Sequence, residues 1–287
     1  VSQPELTRCK MALTVNTNMS ALGAANALNS TQGALSQTLA RVSSGLRVTR
    51  AADDAAGSAV AANLSTKARS GNQAMRNAND GISVIQTAEA ATKEVVSILD
   101  RMRELAVQSG SETLDDGERA YIDSEYGELA DEIERIAQAT EFNDIALSDG
   151  TNTTLTVQVG ISGGTSSQID ITLGDLQVTS LGVDTGTSGV DLSSATTAQS
   201  AISTIDTALD SVNSIRASYG ATQNRLGSAI NNMTAYTESL TAAASQIRDA
   251  DYAHETAEMT RLQVMQQAGV AALGQARGMN QSVLSLL

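Results

Sequence analysis

The sequence predicts a mainly α protein of long helices that bundle as a rod or coiled coil, with a small β-hairpin-containing segment in the middle. Three observations lead there. Apolar residues recur at spacings of three and four over most of the chain, the period of a helix with one buried seam. The single proline, Pro4, stands near the start, so the rest of the 287 residues carry no obligate helix breaker. Residues 148–196 differ from both flanks, holding eighteen Ser or Thr, eight Gly and five Asp with no Lys or Arg.

Each element follows from its own pattern. Ala21, Leu28, Leu35 and Val42 stand seven apart, and Ala25, Leu39 and Leu46 follow four residues on; this predicts a helix with a narrow seam ending near Ser43-Ser44-Gly45. Arg47 to Gly57 breaks the pattern and reads as an irregular connector. A second helix carries Val60, Leu64, Met75, Ile82, Ile85, Val96, Leu99, Met102 and Leu105 and stops around Gly110. A third, about Asp116 to Thr140, turns Ile122, Leu129, Ile133 and Ile136 to one face. Thr154 to Val159 and Gln168 to Leu173 alternate strictly around Ser162-Gly163-Gly164, a hairpin signal. Two strands alone are marginal in water, so this hairpin has to lean on helices, while the rest of 148–195 reads as solvated loop. Ile202, Ile205, Leu209, Val212, Tyr219, Leu226, Ile230, Met233, Leu240 and Ile247 share one unbroken register, a helix of roughly 70 Å at 1.5 Å per residue. Beyond Tyr252 the register resumes through Met259, Leu262, Gly269, Leu273, Ala276 and Val283.

Composition excludes several function classes. Aromatic residues are 2% of the chain, so any core is built of Ala, Leu, Ile and Val, which suits helix seams. The net charge of −14 argues against a nucleic-acid binder. The charge is also segregated. Residues 11–52 and 259–287 contain no Asp or Glu, whereas residues 100–149 hold fifteen against four Arg. Uncharged ends around an acidic body suggest an assembly subunit whose ends are buried against copies of itself. The lone Cys9 excludes an intramolecular disulfide framework. No run approaches eighteen apolar residues, so no membrane insertion is expected. No cleaved signal peptide is predicted, and residues 1–10 read as an upstream or non-native extension before Met11.

Taken together the motifs resemble bacterial flagellin. The resemblance runs through Asn16-Thr17-Asn18, Leu39 to Arg47, Ala52 to Gly57, Asn77 to Ser83, Gln86 to Glu89, Arg101 to Gln108 and Glu141-Phe142-Asn143. At the other end it takes in Asp249 to Ala253, Gln266 to Gly269 and Ser282 to Leu287. It implies an N-terminal arm (11–52) paired with a C-terminal arm (251–287) as a coiled coil in the inner filament core. It further implies a helical rod whose halves are 53–147 and 196–250, and a short variable region at 148–195. Leu28, Leu35, Leu39, Val42, Leu46, Leu262, Leu273, Val283 and Leu286 are the expected inner-core assembly residues. The implied function is a subunit that homopolymerises into the swimming filament outside the cell. It would be exported unfolded through the flagellar type III apparatus without a cleaved signal. The partners implied are an export chaperone at the C-terminal arm, the filament cap and the hook-junction proteins. Arg101, Leu105 and Glu125 align with positions contacted by the host innate immune receptor for flagellin. On their own residue types, Arg101 and Glu125 read as solvated helix charges and Leu105 as rod core.

The alternatives are weaker on residue grounds. His254-Glu255-Thr256-Ala257-Glu258 has Glu258 where a zinc-protease helix needs its second histidine, and His254 is the only histidine in the chain. With no second histidine and no phosphate-loop pattern, neither an enzyme nor a cofactor is expected. A membrane-active translocator should show Lys/Arg-rich faces with bulky anchors, whereas the ends hold Ala, Ser, Gln and Asn. The remaining alternative is a hook–filament junction protein, which shares the paired arms; the Arg101 to Gln108 string and the Ser-Leu-Leu end favour flagellin.

Overall fold

The computed structural model describes residues 17–185 and 190–284, and side chains as far as residue 278. The expectations for residues 1–10 and for Leu286 fall outside this range, as does the side chain of Val283 in the last helix. The elements run α1 (Met19–Ser44), α2 (Ala55–Ser109), α3 (Asp116–Ala139), β1 (Glu141–Phe142), β2 (Ile145–Ala146), β3 (Thr154–Gln158), β4 (Gln168–Thr172), α4 (Val178–Leu181), α5 (Ala195–Arg248) and α6 (Tyr252–Leu284). The chain is mainly α, as the sequence predicts; of the two small antiparallel sheets among the described residues, β3–β4 is the predicted hairpin and β1–β2 is an addition to it.

Two compact units emerge. One comprises the residues up to Leu64 with those from Ala242, and the other spans Ser65–Thr241. In the terminal unit, α1 and α6 lie antiparallel. Asn18 caps α1 by accepting from the Ala21 N–H at 2.9 Å, and its amide donates to the Ala276 carbonyl at 2.8 Å. Gly45 ends α1 in the left-handed conformation at φ 69°, which glycine adopts without a Cβ penalty. The connector is irregular but not loose. Arg47 N–H donates to the Arg248 carbonyl at 2.7 Å, Ala250 N–H donates to the Gly45 carbonyl at 3.0 Å, and Leu46 bridges Asp249.

In the middle unit, α2 and α5 pack antiparallel. A Cβ at Gly71 would run into Thr237 and Met233, and one at Gly81 would lie 3.5 Å from Leu226. The first core joins Val95, Leu99, Met102 and Leu105 of α2 to Ile122, Tyr126 and Ile133 of α3 and to Ile205 and Val212 of α5. Asp115 and Glu118 form a reciprocal capping box that starts α3. Asn143 and Asp144 both adopt positive φ, 52° and 63°, giving the tight two-residue turn between β1 and β2.

The second core is where the predicted hairpin rests. Strands β3 and β4 pair Thr154 with Thr172 through to Gln158 with Gln168. Val157, Ile169 and Ile171 turn inward onto Ala78, Val84, Ile85, Tyr219 and Leu226. Thr156 and Asp170 face outward and hydrogen-bond at 2.7 Å. The reading of the remaining middle segment as solvated loop is corrected here. Leu176, Val178, Leu181, Val183, Val190 and Leu192 are buried in the first core. These residues lie on irregular backbone and on the one-turn α4, too short to show a period. Their polar groups are tied down: Ser109 Oγ donates to the Leu192 carbonyl at 2.6 Å, and Leu192 N–H donates to Asp123 at 3.1 Å.

Candidate functional site

In the terminal unit, α1 and α6 share a seam. On α1 the inward positions are Ala21, Ala24, Leu28, Thr31, Leu35, Thr38 and Val42, an alternating three-four register. On α6 they are Glu255, Met259, Leu262, Gln266, Gly269, Leu273 and Ala276. Gly269 permits the closest approach, since a Cβ there would lie 3.3 Å from Leu28. Gln32 and Gln266 hydrogen-bond across the pair. Glu255, buried, accepts from half-buried Arg41 at 3.5 Å.

The expected assembly residues divide into two groups. Leu28, Leu35, Val42, Leu262 and Leu273 lie in or against the intrachain seam, and Leu46 is half-buried at the connector. Leu39, given the same seam by its spacing, is 55% exposed. The second seam column on α1 stands three residues after the first, at Ala24, Thr31 and Thr38, so the column four residues on lies at the flank. Met19 at 69%, Val264 at 60%, and Leu22, Met265 and Val270 are likewise exposed. An open groove of about 390 Å³ at one end of the pair is lined by Met19, Leu22, Ala25, Leu273 and Arg277. Such residues form a second apolar surface outside the seam, on helices whose only acids among the described residues, Glu255 and Glu258, are paired with Arg41 and Arg261.

The connector supplies a polar anchor that residue periodicity does not reveal. Asp53 accepts from Thr49 Oγ1 at 2.9 Å, from the Arg50 N–H at 3.0 Å and from Gln37 Nε2 at 2.9 Å. The Thr49 hydroxyl and then the Arg50 N–H hold its carboxyl below the usual aspartate range. Asp54 accepts from the Gly57 N–H at 2.8 Å and so starts α2. The only sequence signal for this anchor is the Asp-Asp pair ahead of the helix.

In the middle unit, Arg101 pairs with Glu125 at 2.8 Å and with Glu104 at 3.0 Å. These carboxylates, Glu125 first, raise the guanidinium pKa. Leu105 is 1% exposed and lies beneath this face. The His254–Glu258 string opens α6; its Glu255 is bonded to Arg41 and its Glu258 to Arg261. Among the described residues no cluster of His, Cys, Asp and Glu is placed to hold a metal, and no helix is long and apolar enough to cross a membrane.

Comparison with known proteins adds to this geometry. Residues 15–153 match the bacterial flagellin N-terminal helical region and residues 202–287 the C-terminal helical region. Over 275 residues the chain is 43% identical to a flagellin of Halalkalibacterium halodurans, covering 95% of this chain and 99% of that protein. A Salmonella paratyphi A flagellin is 43% identical over 175 residues, 61% of this chain but 35% of its own length. Among solved structures, Bacillus cereus flagellin is 33% identical, covering 55% of this chain and 88% of its own, with a TM-score of 0.48. A structure described as a flagellar hook-associated protein of Vibrio parahaemolyticus covers 69% of this chain and all of its own at 16% identity and a TM-score of 0.57, a likeness of fold alone.

Proposed function

Because the chain belongs to the bacterial flagellin family, and is therefore a structural subunit of the extracellular flagellar filament rather than an enzyme, we propose that its α1–α6 pair is the part that drives polymerisation. The observation that carries this is the second apolar surface. Met19, Leu22, Leu39, Val264, Met265 and Val270 are exposed on helices that bear no repelling acid outside the seam-buried Glu255 and the Arg-paired Glu258. A two-helix seam buries too little to hold such arms rigid in a free chain, so they gain order as neighbours cover this surface. Leu28, Leu35, Leu39, Val42, Leu46, Leu262, Leu273, Val283 and Leu286 then serve as inner-core residues of the arms 11–52 and 251–287. Residues 53–147 and 196–250 form the surrounding rod, and 148–195 its short variable region.

The same reading has the chain exported unfolded by the flagellar type III apparatus, guided by an uncleaved N-terminal region. A chaperone would cover the apolar C-terminal arm until export, and the filament cap would fold each subunit onto the tip beyond the hook-junction proteins. Arg101 and Glu125 act first in subunit contacts, and a host innate immune receptor would read them with Leu105 only on free chains. Deleting 11–45 or 255–287 tests the central claim. Each truncated chain is expected to stay helical and monomeric where the full chain forms filaments on seeds. Filaments from either truncation, seen by negative-stain microscopy, would refute it.

A further inference from the structure

The acids of the middle unit are unevenly spread. Residues 65–79 of α2 and 211–237 of α5 contain no Asp or Glu, although the chain as a whole is strongly acidic. These stretches lie side by side, with Thr234 Oγ1 donating to Met75 Sδ at 3.2 Å. They present Lys67, Arg69, Arg76 and Arg225, all exposed. None of the four has an ion-pair partner among the described residues; Arg76 reaches only the neutral amide of Gln73, at 3.1 Å. The complementary surface is the outer face of α3. Glu128 and Asp131 are exposed there without an ion-pair partner among the described residues. Tyr121 shares that face and is 81% exposed, in a chain with five tyrosines and one phenylalanine. An exposed aromatic ring and unpaired carboxylates each attract guanidinium, the ring through its face and the carboxylates by ion pairing.

The spacings also agree. Arg69 and Arg76 stand seven residues apart on α2, and Tyr121 and Glu128 stand seven apart on α3. Each pair therefore projects from nearly one line on its helix, about 10 Å apart. One guanidinium can lie on the Tyr121 ring while the other pairs with Glu128 and Asp131.

We propose that the Tyr121–Glu128–Asp131 face of α3 is a docking surface for the Arg69–Arg76 face of α2 on a second copy of this chain. The contact joins two different surfaces, so each copy uses one surface on each of two neighbours and the contact propagates. It rests on the filament reading and adds a named electrostatic contact outside the terminal helices.

Two charge-reversed chains test it, R69E/R76E and E128K/D131K, in seeded polymerisation at about 0.15 M NaCl, where screening extends over about 8 Å. All four residues are exposed, and matching helicity by circular dichroism shows that both variants fold. Each variant alone is expected to need at least a tenfold higher critical concentration than the unaltered chain, because like charges then face each other. An equimolar mixture is expected to polymerise near the unaltered concentration, since alternating copies restore every contact. Y121A is expected to raise the critical concentration several-fold. Either reversed chain polymerising like the unaltered one, or a folded mixture that stays as defective as its components, overturns the contact while leaving the filament reading intact. Failure of the unaltered chain to polymerise on seeds overturns both.

Discussion

Replacing Tyr219 with phenylalanine deletes one oxygen from the interior of the middle unit and leaves the ring in place. That oxygen accepts a hydrogen bond from the Gly174 N–H at 3.1 Å, and both residues are buried. Gly174 follows the second strand of the hairpin, and a Cβ there would meet Ile215 at 2.6 Å, so this backbone is packed closely against α5. The variant leaves a buried N–H unsatisfied, which costs about 1–3 kcal/mol. Tyr126→Phe is the matched control. Its hydroxyl donates to the Val183 carbonyl at 3.3 Å, a longer bond to an acceptor that tolerates partial satisfaction, and its loss costs about 0.5–1.5 kcal/mol. For a unit of this size, a loss near 2 kcal/mol lowers the melting temperature by about 4–8 °C. Urea and thermal denaturation of dilute monomer measure the difference, and hydrogen exchange at the Gly174 amide reports it locally. A Tyr219→Phe chain no less stable than Tyr126→Phe, with unchanged exchange at Gly174, would refute the claim that this bond pins the hairpin to α5.

Further outcomes follow from the same structure. Burial raises the pKa of both Tyr126 and Tyr219, with Asp123 and Asp184 adding to the effect at Tyr126, so each phenol ionises more easily unfolded than folded. Their contribution is complete below the ordinary tyrosine value of about 10 and is lost as pH rises beyond it; melting temperatures measured across alkaline pH should begin to fall there, and a flat profile would contradict the assignment. Asp53 has the opposite sign: its lowered pKa contributes stability above the ordinary aspartate range that is lost as pH falls through its depressed value. Asp53→Asn is expected to speed hydrogen exchange at the Thr49 and Arg50 amides in assembled filaments and to remove that acid dependence; unchanged exchange would show that the connector is held otherwise. Gly269→Val places a branched side chain where even a single Cβ would stand 3.3 Å from Leu28, so filaments should fail to form or melt at clearly lower temperature.

What could be read from the sequence was whatever repeats. The register from Ile202 to Ile247 lies inside α5, and the alternation at 154–159 and 168–173 coincides with the paired strands. Both signals average over many residues, so a single exception such as Arg216 does not disturb them. Leu39 shows where this fails. In the α1 seam Ala24, Thr31 and Thr38 face inward although they are small or polar, and an apolar count prefers the neighbouring column with its leucine. Buried Leu176, Leu181 and Leu192 were hidden for another reason. They sit on turns and a one-turn helix whose backbone is held from afar: Ser109 Oγ donates to the Leu192 carbonyl, the Leu192 N–H donates to Asp123 and the Val178 N–H donates to Glu134. The Asp53 anchor depends on contacts over three to sixteen residues, too irregular for any period to mark.

Charge segregation bears on how the subunit avoids dead ends. A homopolymer that grows must favour contacts between unlike surfaces, because a patch that binds itself closes a two-fold dimer and stops. An apolar surface alone is poor at this discrimination, since any two apolar faces gain by burial. On the middle unit, a pairing of α3 with α3 sets Glu128 and Asp131 against their own copies, and a pairing of the basic stretches sets Arg69 and Arg76 against theirs. Both are repelled, leaving basic against acidic as the attractive arrangement. The repulsion acts over about 8 Å at physiological salt. It therefore selects orientation at encounter, before the outer apolar residues of α1 and α6 are covered. Swapping the charges at both sites of one chain, R69E/R76E/E128K/D131K, keeps unlike surfaces facing, so that chain should polymerise with itself and fail to co-polymerise with the unaltered protein. Free mixing of the two in one filament, detected by differential labelling, would show that orientation is chosen elsewhere.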